Sequence, residues 1–221
     1  MSDSSLSEPV ASSTSKADPA EAKAALRKIA SKTRLAAASS QPSAADDLAA
    51  QAETLIARYG TGIYAAYLPI RSELSPLPLV AALQAAGIVT AMPITPEPGL
   101  PLVFHQWAPG DVLDEGPYGT TQPTLSAPIV TPSVILAPML AYDDGCWRLG
   151  YGGGFYDRTI GGLRAAGHTV TAIGIAYAEQ HVGHVPTGPY DMALDAVLTP
   201  SGLRHAVPSM ATAPNNQKEQ S

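Results

Sequence analysis

Cysteine, long apolar runs and a signal-peptide pattern are rare or absent in this sequence, and each absence argues against a class of protein. One residue of 221 is cysteine, Cys146, so no disulfide can form within the chain and a reducing cytoplasm is the expected location. No apolar run approaches the roughly 20 residues that a membrane-spanning helix needs. The first residues lack a basic region followed by an apolar core, so we expect no secretory signal.

Charge of either sign is also scarce. Charged residues make up 14% of the chain, and 13 basic residues stand against 19 acidic ones, for a formal net charge of -6. This balance argues against broad binding to nucleic acid or to an anionic membrane. A small anionic ligand needs only a few converging cations, so that class stays open. We expect small-molecule partners and a monomer or weak dimer.

The two ends of the chain differ in composition from the middle. Residues 1–17 and 206–221 are rich in small and polar residues and are predicted to be disordered tails. One folded domain is predicted over 18–205. Asp18 suits the N-cap of a first helix that runs through KAALRKIASKTRLAAA, with Pro19 at the first helical position and Glu21 at the third. A second helix is predicted from Ala44 to Tyr59.

Strands and helices alternate in the rest of the domain. Short helices are predicted for PLVAALQAA, ending at Gly87, and for Tyr156–Ala166, ending at Gly167. Strands are predicted for GIYAAYL, IVTAMPI, LVFHQW, VILAPML, TVTAIGIAY and DAVLT. The almost purely apolar VILAPML, Val134–Leu140, is typical of a parallel strand covered on both faces. This pattern predicts a single α/β domain of three layers, with a mostly parallel sheet and helices on both faces.

The chain is richest in glycine at RLGYGGGFYDR, Arg148–Arg158. This stretch follows the strand VILAPML and leads into a helix. In open parallel sheets, ligands bind at the carboxyl ends of strands and at helix N-termini. Glycines there leave backbone N–H groups free to approach phosphate oxygens. A tight strand-to-helix turn is the alternative explanation for the glycines alone.

Two common phosphate-binding motifs do not match this stretch. A Walker A loop requires G-x-x-x-x-G-K-[ST], which the chain lacks. The dinucleotide motif G-x-G-x-x-G matches at Gly150 and Gly152, but Phe155 stands at the third glycine position.

The stretch RLGYGGGFYDR closely resembles the signature of the 5-formyltetrahydrofolate cyclo-ligases, also called methenyltetrahydrofolate synthetases. The resemblance extends over roughly residues 20–200. KAALR resembles the family's K-x-x-L-R, LPIRSE its substrate-glutamate segment, and GTTQP its G-x-x-E/Q-P element. VPTGPYDMALDAVLT resembles the family's closing segment.

The resemblance implies an ATP- and Mg²⁺-dependent reaction in the cytoplasm. ATP phosphorylates the formyl oxygen of 5-formyltetrahydrofolate, the neighbouring amine attacks the activated carbon, and 5,10-methenyltetrahydrofolate, ADP and phosphate are released. Such phosphoryl transfer requires positioning and charge neutralisation more than covalent help. It therefore requires no enzyme nucleophile, and the sequence offers no convincing Ser/His/Asp or Cys/His set.

The resemblance also implies the site residues. ATP binding is assigned to Lys23, Arg27, Arg148, Leu149, Gly150, Tyr151, Gly152, Gly153, Gly154, Phe155 and Tyr156, with Arg148 also in a catalytic role. Substrate binding is assigned to Leu68, Glu73, Tyr118, Tyr151 and Phe155. Asp157, beside the glycines, offers Mg²⁺ a hard oxygen ligand, and the resemblance makes Asp191 the second.

Several of these residues have a second interpretation. Lys23 and Arg27, four residues apart on one helix face, could form a solvated surface. Glu73 could cap the helix that follows it, and Tyr118 could pack in its loop. Two other functions also remain open, a nicotinamide-dependent oxidoreductase and a protein that binds nucleotide or folate without catalysis.

Overall fold

The computed structural model describes residues 19–207. Asp18, the tail 1–17 and all but two residues of the tail predicted at 206–221 lie outside this range, so those predictions and the 18–205 domain bounds stay predictions. The helices are α1 (Pro19–Ser40), α2 (Ala44–Ala49), α3 (Ala52–Tyr59), α4 (Leu77–Ala85) and α5 (Phe155–Ala165). Among the described residues, no helix has both the length and the apolar character to cross a bilayer.

Twelve strands accompany these helices. They are β1 (Tyr64–Ala65), β2 (Thr90–Ile94), β3 (Val103–Gln106), β4 (Leu113–Glu115), β5 (Thr121–Pro123), β6 (Ile129–Val130), β7 (Val134–Pro138), β8 (Ala141–Tyr142), β9 (Arg148–Leu149), β10 (Thr171–Ile175), β11 (Ala196–Thr199) and β12 (Gly202–His205).

Eight strands form one sheet in the order β12-β11-β10-β7-β1-β2-β3-β6. The five central strands, from β11 to β2, run parallel to their neighbours. The edge strands β12, β3 and β6 pair antiparallel. This arrangement confirms the predicted mostly parallel sheet, and VILAPML, predicted as a parallel strand covered on both faces, lies near its centre as β7.

The central strands bury side chains on both faces, which makes the domain three-layered. Val134 and Leu136 of β7 pack in one apolar cluster with α2, α3 and α4, through residues such as Leu48, Leu55 and Leu83. Ile135, between them in the sequence, packs in a second cluster with Ile160 of α5. Because alternate residues of a strand point to opposite faces, both sheet faces are covered.

A third, smaller cluster attaches α1 to the carboxyl side of the sheet. Ala30 and Leu26 of α1 pack with Leu140, immediately before β8, and with Leu149 of β9 in the same hairpin. This packing fixes the register of α1 against the hairpin. It therefore determines where the basic residues earlier in the helix lie.

Some predicted elements have different bounds. The helix predicted from Ala44 to Tyr59 is wrong in its middle, because the chain tightens there: the N–H of Gln51 donates to the carbonyl of Leu48, three residues back. The strand predicted for GIYAAYL is paired only at β1. The two-stranded pairs β4–β5 and β8–β9 and the edge strand β12 were not predicted at all.

Candidate functional site

The glycine stretch lies between β9 and α5. Gly152 has a φ of 108°, and Gly154, the residue before α5, has a φ of 66°. Side chains rarely adopt this left-handed region, so both positions favour glycine. The loop therefore presents bare backbone beside the carboxyl end of β7, as the sequence predicts.

A cavity of about 230 Å³ opens beside this loop, and we call it the glycine-loop cavity. The structure brings all the predicted ATP and metal residues to its wall. They are Lys23, Arg27, Arg148, Leu149, Gly150, Tyr151, Gly152, Gly153, Gly154, Phe155, Tyr156, Asp157 and Asp191, joined by Pro138 at the end of β7. Lys23 and Arg27 thus line a cavity, but the roles of all these residues stay predictions.

Two ion pairs hold the charged groups of this cavity. A guanidinium nitrogen of Arg148 lies 2.9 Å from Oδ1 of Asp157, and Lys23 Nζ donates a short hydrogen bond to Oδ2 of Asp191. Arg27 donates from Nε to the carbonyl of Gly150 at 3.0 Å. The cavity therefore contains three cations and two carboxylates.

Arg148 is the least satisfied of these cations. Its side chain is only 5% exposed. Its contact with Asp157 is too poorly aligned to count as a hydrogen bond, and Nε and Nη2 have no hydrogen-bond partner among the described residues. Because buried polar groups without partners are costly, this guanidinium is suited to receive an anionic ligand.

The two carboxylates each keep one oxygen available. Oδ1 of Asp157 accepts the N–H of Met192 as well as facing Arg148, and Oδ2 of Asp191 accepts from Lys23 and from the N–H of Gly188. Burial opposes ionisation of Asp191, but the bonds from Lys23 and Gly188 outweigh it and lower the pKa of this carboxyl. Within residues 19–207, Oδ2 of Asp157 and Oδ1 of Asp191 accept no hydrogen bond.

These acids do not form a closed metal cage. No group of three or more His, Cys, Asp and Glu side chains within the described range could hold an ion. Mg²⁺ commonly takes only one or two carboxylates and completes its shell with water and substrate phosphates. Asp157 and Asp191 fit that kind of site.

A second cavity, of about 170 Å³, adjoins the first, and we call it the Glu73 cavity. Its wall includes Leu68 and Glu73. It also includes four residues of the glycine-loop cavity, namely Pro138, Tyr151, Phe155 and Tyr156. Tyr151 and Phe155 thus face both cavities, in keeping with their double assignment. The side chain of Tyr118 lies outside the described part of the chain.

Glu73 is buried in this wall and does not cap a helix. Its Oε2 accepts the N–H of Ile70 at 2.9 Å, whereas α4 begins only at Leu77. The capping interpretation is therefore wrong. Burial raises the pKa of Glu73, and the Ile70 N–H and the nearby Arg34 guanidinium oppose that rise.

Arg34 is a site residue that the sequence analysis missed. It is 2% exposed and reaches Ser72, the carbonyl of Met139 and the hydroxyl of Tyr151, and it lies 3.5 Å from Glu73. A signal was available, because Lys23, Arg27 and Arg34 fall on one face of a 3.6-residue helix. Arg34 thus connects α1 to Glu73 and Tyr151, which line the Glu73 cavity.

Three further ionisable side chains, those of Cys146, His181 and Arg158, line neither cavity. Cys146 is buried, and burial first and the nearby Asp143 second raise the pKa of its thiol to about 11, which makes it a poor nucleophile. Nε2 of His181 pairs with Asp144 at 2.8 Å. Arg158 donates to the carbonyl of Gly153.

Replacing Gly152 with valine is expected to abolish binding of ATP by a folded protein. A Cβ there would lie 3.4 Å from the guanidinium carbon of Arg27, in a backbone conformation that branched residues avoid. Isothermal titration with Mg-ATP measures the loss. Gly183→Val is the matched control, because a Cβ at Gly183 meets no atom within 4 Å. ATP affinity equal to that of the unmodified protein would make the loop an ordinary turn.

The chain is similar in sequence to one family of known proteins. The family model described as the 5-formyltetrahydrofolate cyclo-ligase family matches residues 19–200. The chain is 33% identical over 143 residues to a 5-formyltetrahydrofolate cyclo-ligase of Mycolicibacterium smegmatis, covering 61% of this chain and 72% of that protein. It is 32% identical over 142 residues to one of Escherichia coli K12, covering 62% and 77%.

Solved structures agree at the level of the fold. The NMR structure of 5,10-methenyltetrahydrofolate synthetase from Aquifex aeolicus matches with a TM-score of 0.67 and 21% identity, covering 89% of this chain and 99% of that one. A 5,10-methenyltetrahydrofolate synthetase from Mycoplasma pneumoniae matches with a TM-score of 0.63 and 21% identity, covering 80% and 98%. The family match spans nearly all the described residues and includes the glycine stretch and both acids. The chain therefore belongs to the 5-formyltetrahydrofolate cyclo-ligase family.

Proposed function

We propose that this protein uses ATP and Mg²⁺ to cyclise 5-formyltetrahydrofolate to 5,10-methenyltetrahydrofolate, with release of ADP and phosphate. The observation that carries the proposal is the shared wall of the two cavities. A glycine-lined cavity rich in cations adjoins one that presents a buried glutamate, and Tyr151, Phe155 and Tyr156 belong to both. A phosphate donor and a heterocyclic acceptor can therefore meet across that wall.

The glycine-loop cavity would hold the triphosphate. Backbone N–H groups of Gly150–Gly154 can approach phosphate oxygens closely because no side chain intervenes. Arg148 supplies a forked donor whose buried Nε and Nη2 have no hydrogen-bond partner within residues 19–207. Lys23 and Arg27, which enter from α1, add charge from the opposite side.

Asp157 and Asp191 would hold Mg²⁺ through the oxygens that accept no hydrogen bond within the described range. When bound with ATP, Mg²⁺ would neutralise charge on the phosphoryl group as it transfers. Lys23 and Arg148, which pair with these acids, would contact the phosphates from the same wall.

The Glu73 cavity would hold the folate. Glu73 would accept hydrogen bonds from N–H groups of the pterin, and Leu68, Phe155 and Tyr151 would pack on its rings. The formyl oxygen attacks the terminal phosphorus of ATP, and ADP leaves. The neighbouring amine then bonds to the formyl carbon, its proton is lost to the departing phosphate, and that phosphate carries away the former formyl oxygen. No bond to the protein forms, in keeping with the unreactive Cys146.

Replacing Glu73 with glutamine is expected to raise KM for 5-formyltetrahydrofolate about tenfold or more, since hydrogen bonds to a charged group are worth about 1.5–3 kcal/mol. KM for ATP should stay within about twofold. In the unmodified protein, folate affinity should fall as pH drops through a value above the ordinary glutamate range, because burial raises the pKa of Glu73 and protonation removes the acceptor charge. Steady-state kinetics across pH measures both effects.

The control for this change is Glu179→Gln, at an exposed glutamate that bonds Gln41 away from both cavities. It should leave both constants unchanged. Equal loss of ATP and folate use by Glu73→Gln would indicate general damage to the site and would remove Glu73 from folate recognition.

Two other functions make different predictions. A nicotinamide-dependent oxidoreductase would bind a dinucleotide and ignore ATP, and a non-catalytic binder would release no ADP. The deciding assay combines protein, Mg-ATP and 5-formyltetrahydrofolate and follows ADP together with the near-ultraviolet absorbance of the methenyl product. We expect equal amounts of both, and none without folate. ADP formed at the same rate without folate would indicate a plain ATPase.

We also propose that the protein works in the cytoplasm on free small molecules, as a monomer or weak dimer. The single cysteine supports a reducing location. The net charge of -6 supports the absence of nucleic-acid or anionic-membrane partners. Sedimentation at several concentrations would measure the assembly state, and a tight oligomer would contradict this part of the proposal.

A further inference from the structure

A third recess, of about 460 Å³, lies beside the Glu73 cavity, and we call it the Arg71 groove. One side is the face of α1 that carries Ser31, Arg34 and Ser39, and the other is the turn with Arg71 and Ser72. Tyr151 lines the groove as well as both cavities. The groove is thus separated from the proposed folate site by one aromatic side chain and one turn.

Among the described residues, no acid balances the positive charge that Arg71 brings to the groove. Arg34 is buried, and its charge is offset by Glu73 at 3.5 Å. Arg71 is exposed and pairs with no acid within residues 19–207. Its guanidinium carbon instead lies 5.8 Å from the centroid of the Tyr151 ring. An unpaired guanidinium held against an aromatic ring is well placed to bind a carboxylate.

The backbone at Arg71, which positions this side chain against Tyr151, has a strained conformation. Its φ is 55°, in the left-handed region that costs free energy for any residue with a Cβ. The turn is closed by the N–H of Glu73, which donates to the carbonyl of Ile70 at 3.1 Å. Glycine would occupy this position without strain. Strain of this kind is concentrated at functional sites such as ligand-binding positions. Here the strained backbone places an arginine side chain in the groove.

From this geometry we infer that the Arg71 groove binds the carboxylates of the glutamyl end of the substrate, with Arg71 as a specificity-determining residue. The inference rests on the proposed function, because it takes 5-formyltetrahydrofolate as the substrate. That molecule has an N–H-rich ring at one end and its carboxylates at the other. When the ring lies against Glu73, the rest of the molecule extends past Tyr151 toward the groove. The positive charge of the groove is opposite to that of the carboxylates.

The test compares 5-formyltetrahydrofolate with the N-methylamide of 5-formyltetrahydropteroate, the pteroate analogue, which keeps the benzamide and lacks the glutamyl carboxylates. Equilibrium dissociation constants are measured by titration calorimetry, so no turnover is needed. In Arg71→Gly the dissociation constant for the folate should rise about five- to twentyfold, while that for the pteroate stays unchanged. Arg71→Lys keeps the charge without the fork and should restore part of the affinity.

Stability separates this role from a merely structural one. Because Arg71→Gly relieves the left-handed strain, its Tm should equal or exceed that of the unmodified protein, even as folate affinity falls. Arg58→Ala is the matched control. Its guanidinium carbon lies 5.9 Å from the Tyr59 ring centroid, so it removes a similar cation–aromatic contact away from the groove, and it should change neither dissociation constant.

The outcomes distinguish this inference from the proposed function. If Arg71→Gly changes the affinities for folate and pteroate by the same factor, or changes neither, the groove does not bind the glutamyl carboxylates. The unmodified protein is also assayed for methenyl product. If turnover is normal but Arg71→Gly does not discriminate between the two compounds, only the role of the groove is contradicted. If neither compound is turned over, the proposed function itself is contradicted.

Discussion

Replacing Arg148 with methionine is expected to lower kcat/KM for ATP about ten- to a hundredfold, since a charge-assisted contact is worth roughly 1.5–3 kcal/mol. The side chain is 5% exposed and lines the glycine-loop cavity, with Nε and Nη2 unpartnered within the described residues. Methionine keeps most of the packing volume while removing charge and donors. Steady-state kinetics at saturating folate measures the effect, and Lys23→Met should act in the same direction.

The control for Arg148→Met is Arg164→Met. Arg164 pairs with Asp195 at 2.6 Å and lies outside both cavities, so its loss should leave ATP kinetics unchanged. Thermal unfolding confirms that each variant is folded. If Arg148→Met and Lys23→Met both fold and keep unmodified ATP kinetics, the phosphate assignment is wrong.

Replacing Asp157 with asparagine is expected to raise the Mg²⁺ concentration for half-maximal rate by at least about tenfold, the scale of one lost charged contact. The carboxamide can still accept the N–H of Met192, so the local fold is kept. What is lost is the charge that would attract the metal. A magnesium titration at fixed ATP measures the shift. Asp191→Asn should shift the curve in the same direction by a smaller factor.

Asp195→Asn is a close control for this change. Asp195 also pairs with an arginine and accepts a backbone N–H, from Ala172 at 2.7 Å, but it lies away from the cavity. Its magnesium curve should overlay that of the unmodified protein. Curves for Asp157→Asn and Asp191→Asn that also overlay it would remove these two acids from the metal site.

The sequence was most informative where local chemistry decides the structure. Glycines at positions such as Gly152 and Gly154 mark backbone conformations that side chains avoid, so the loop could be located from the sequence alone. The apolar run of β7 likewise predicted a parallel strand covered on both faces, which the structure confirms. The spacing of Lys23 and Arg27 placed both on one face of α1, and that face lines the glycine-loop cavity.

What the sequence did not show depends on contacts between distant segments. The role of Arg34 comes from partners in three separate segments, at Ser72, Met139 and Tyr151. The break between α2 and α3 falls where no proline or glycine marks it. The left-handed conformation of Arg71 is likewise invisible in a list of residue types, because only the closed turn imposes it.

The most direct measurement follows the formyl oxygen. 5-Formyltetrahydrofolate labelled with ¹⁸O in the formyl group is incubated with the protein and Mg-ATP, and the released phosphate is analysed by mass spectrometry. If ATP activates that oxygen across the wall of Tyr151 and Phe155, each methenyl product formed leaves one ¹⁸O in inorganic phosphate. Unlabelled phosphate, with the label recovered in water, would contradict phosphorylation of the formyl oxygen and with it the central claim.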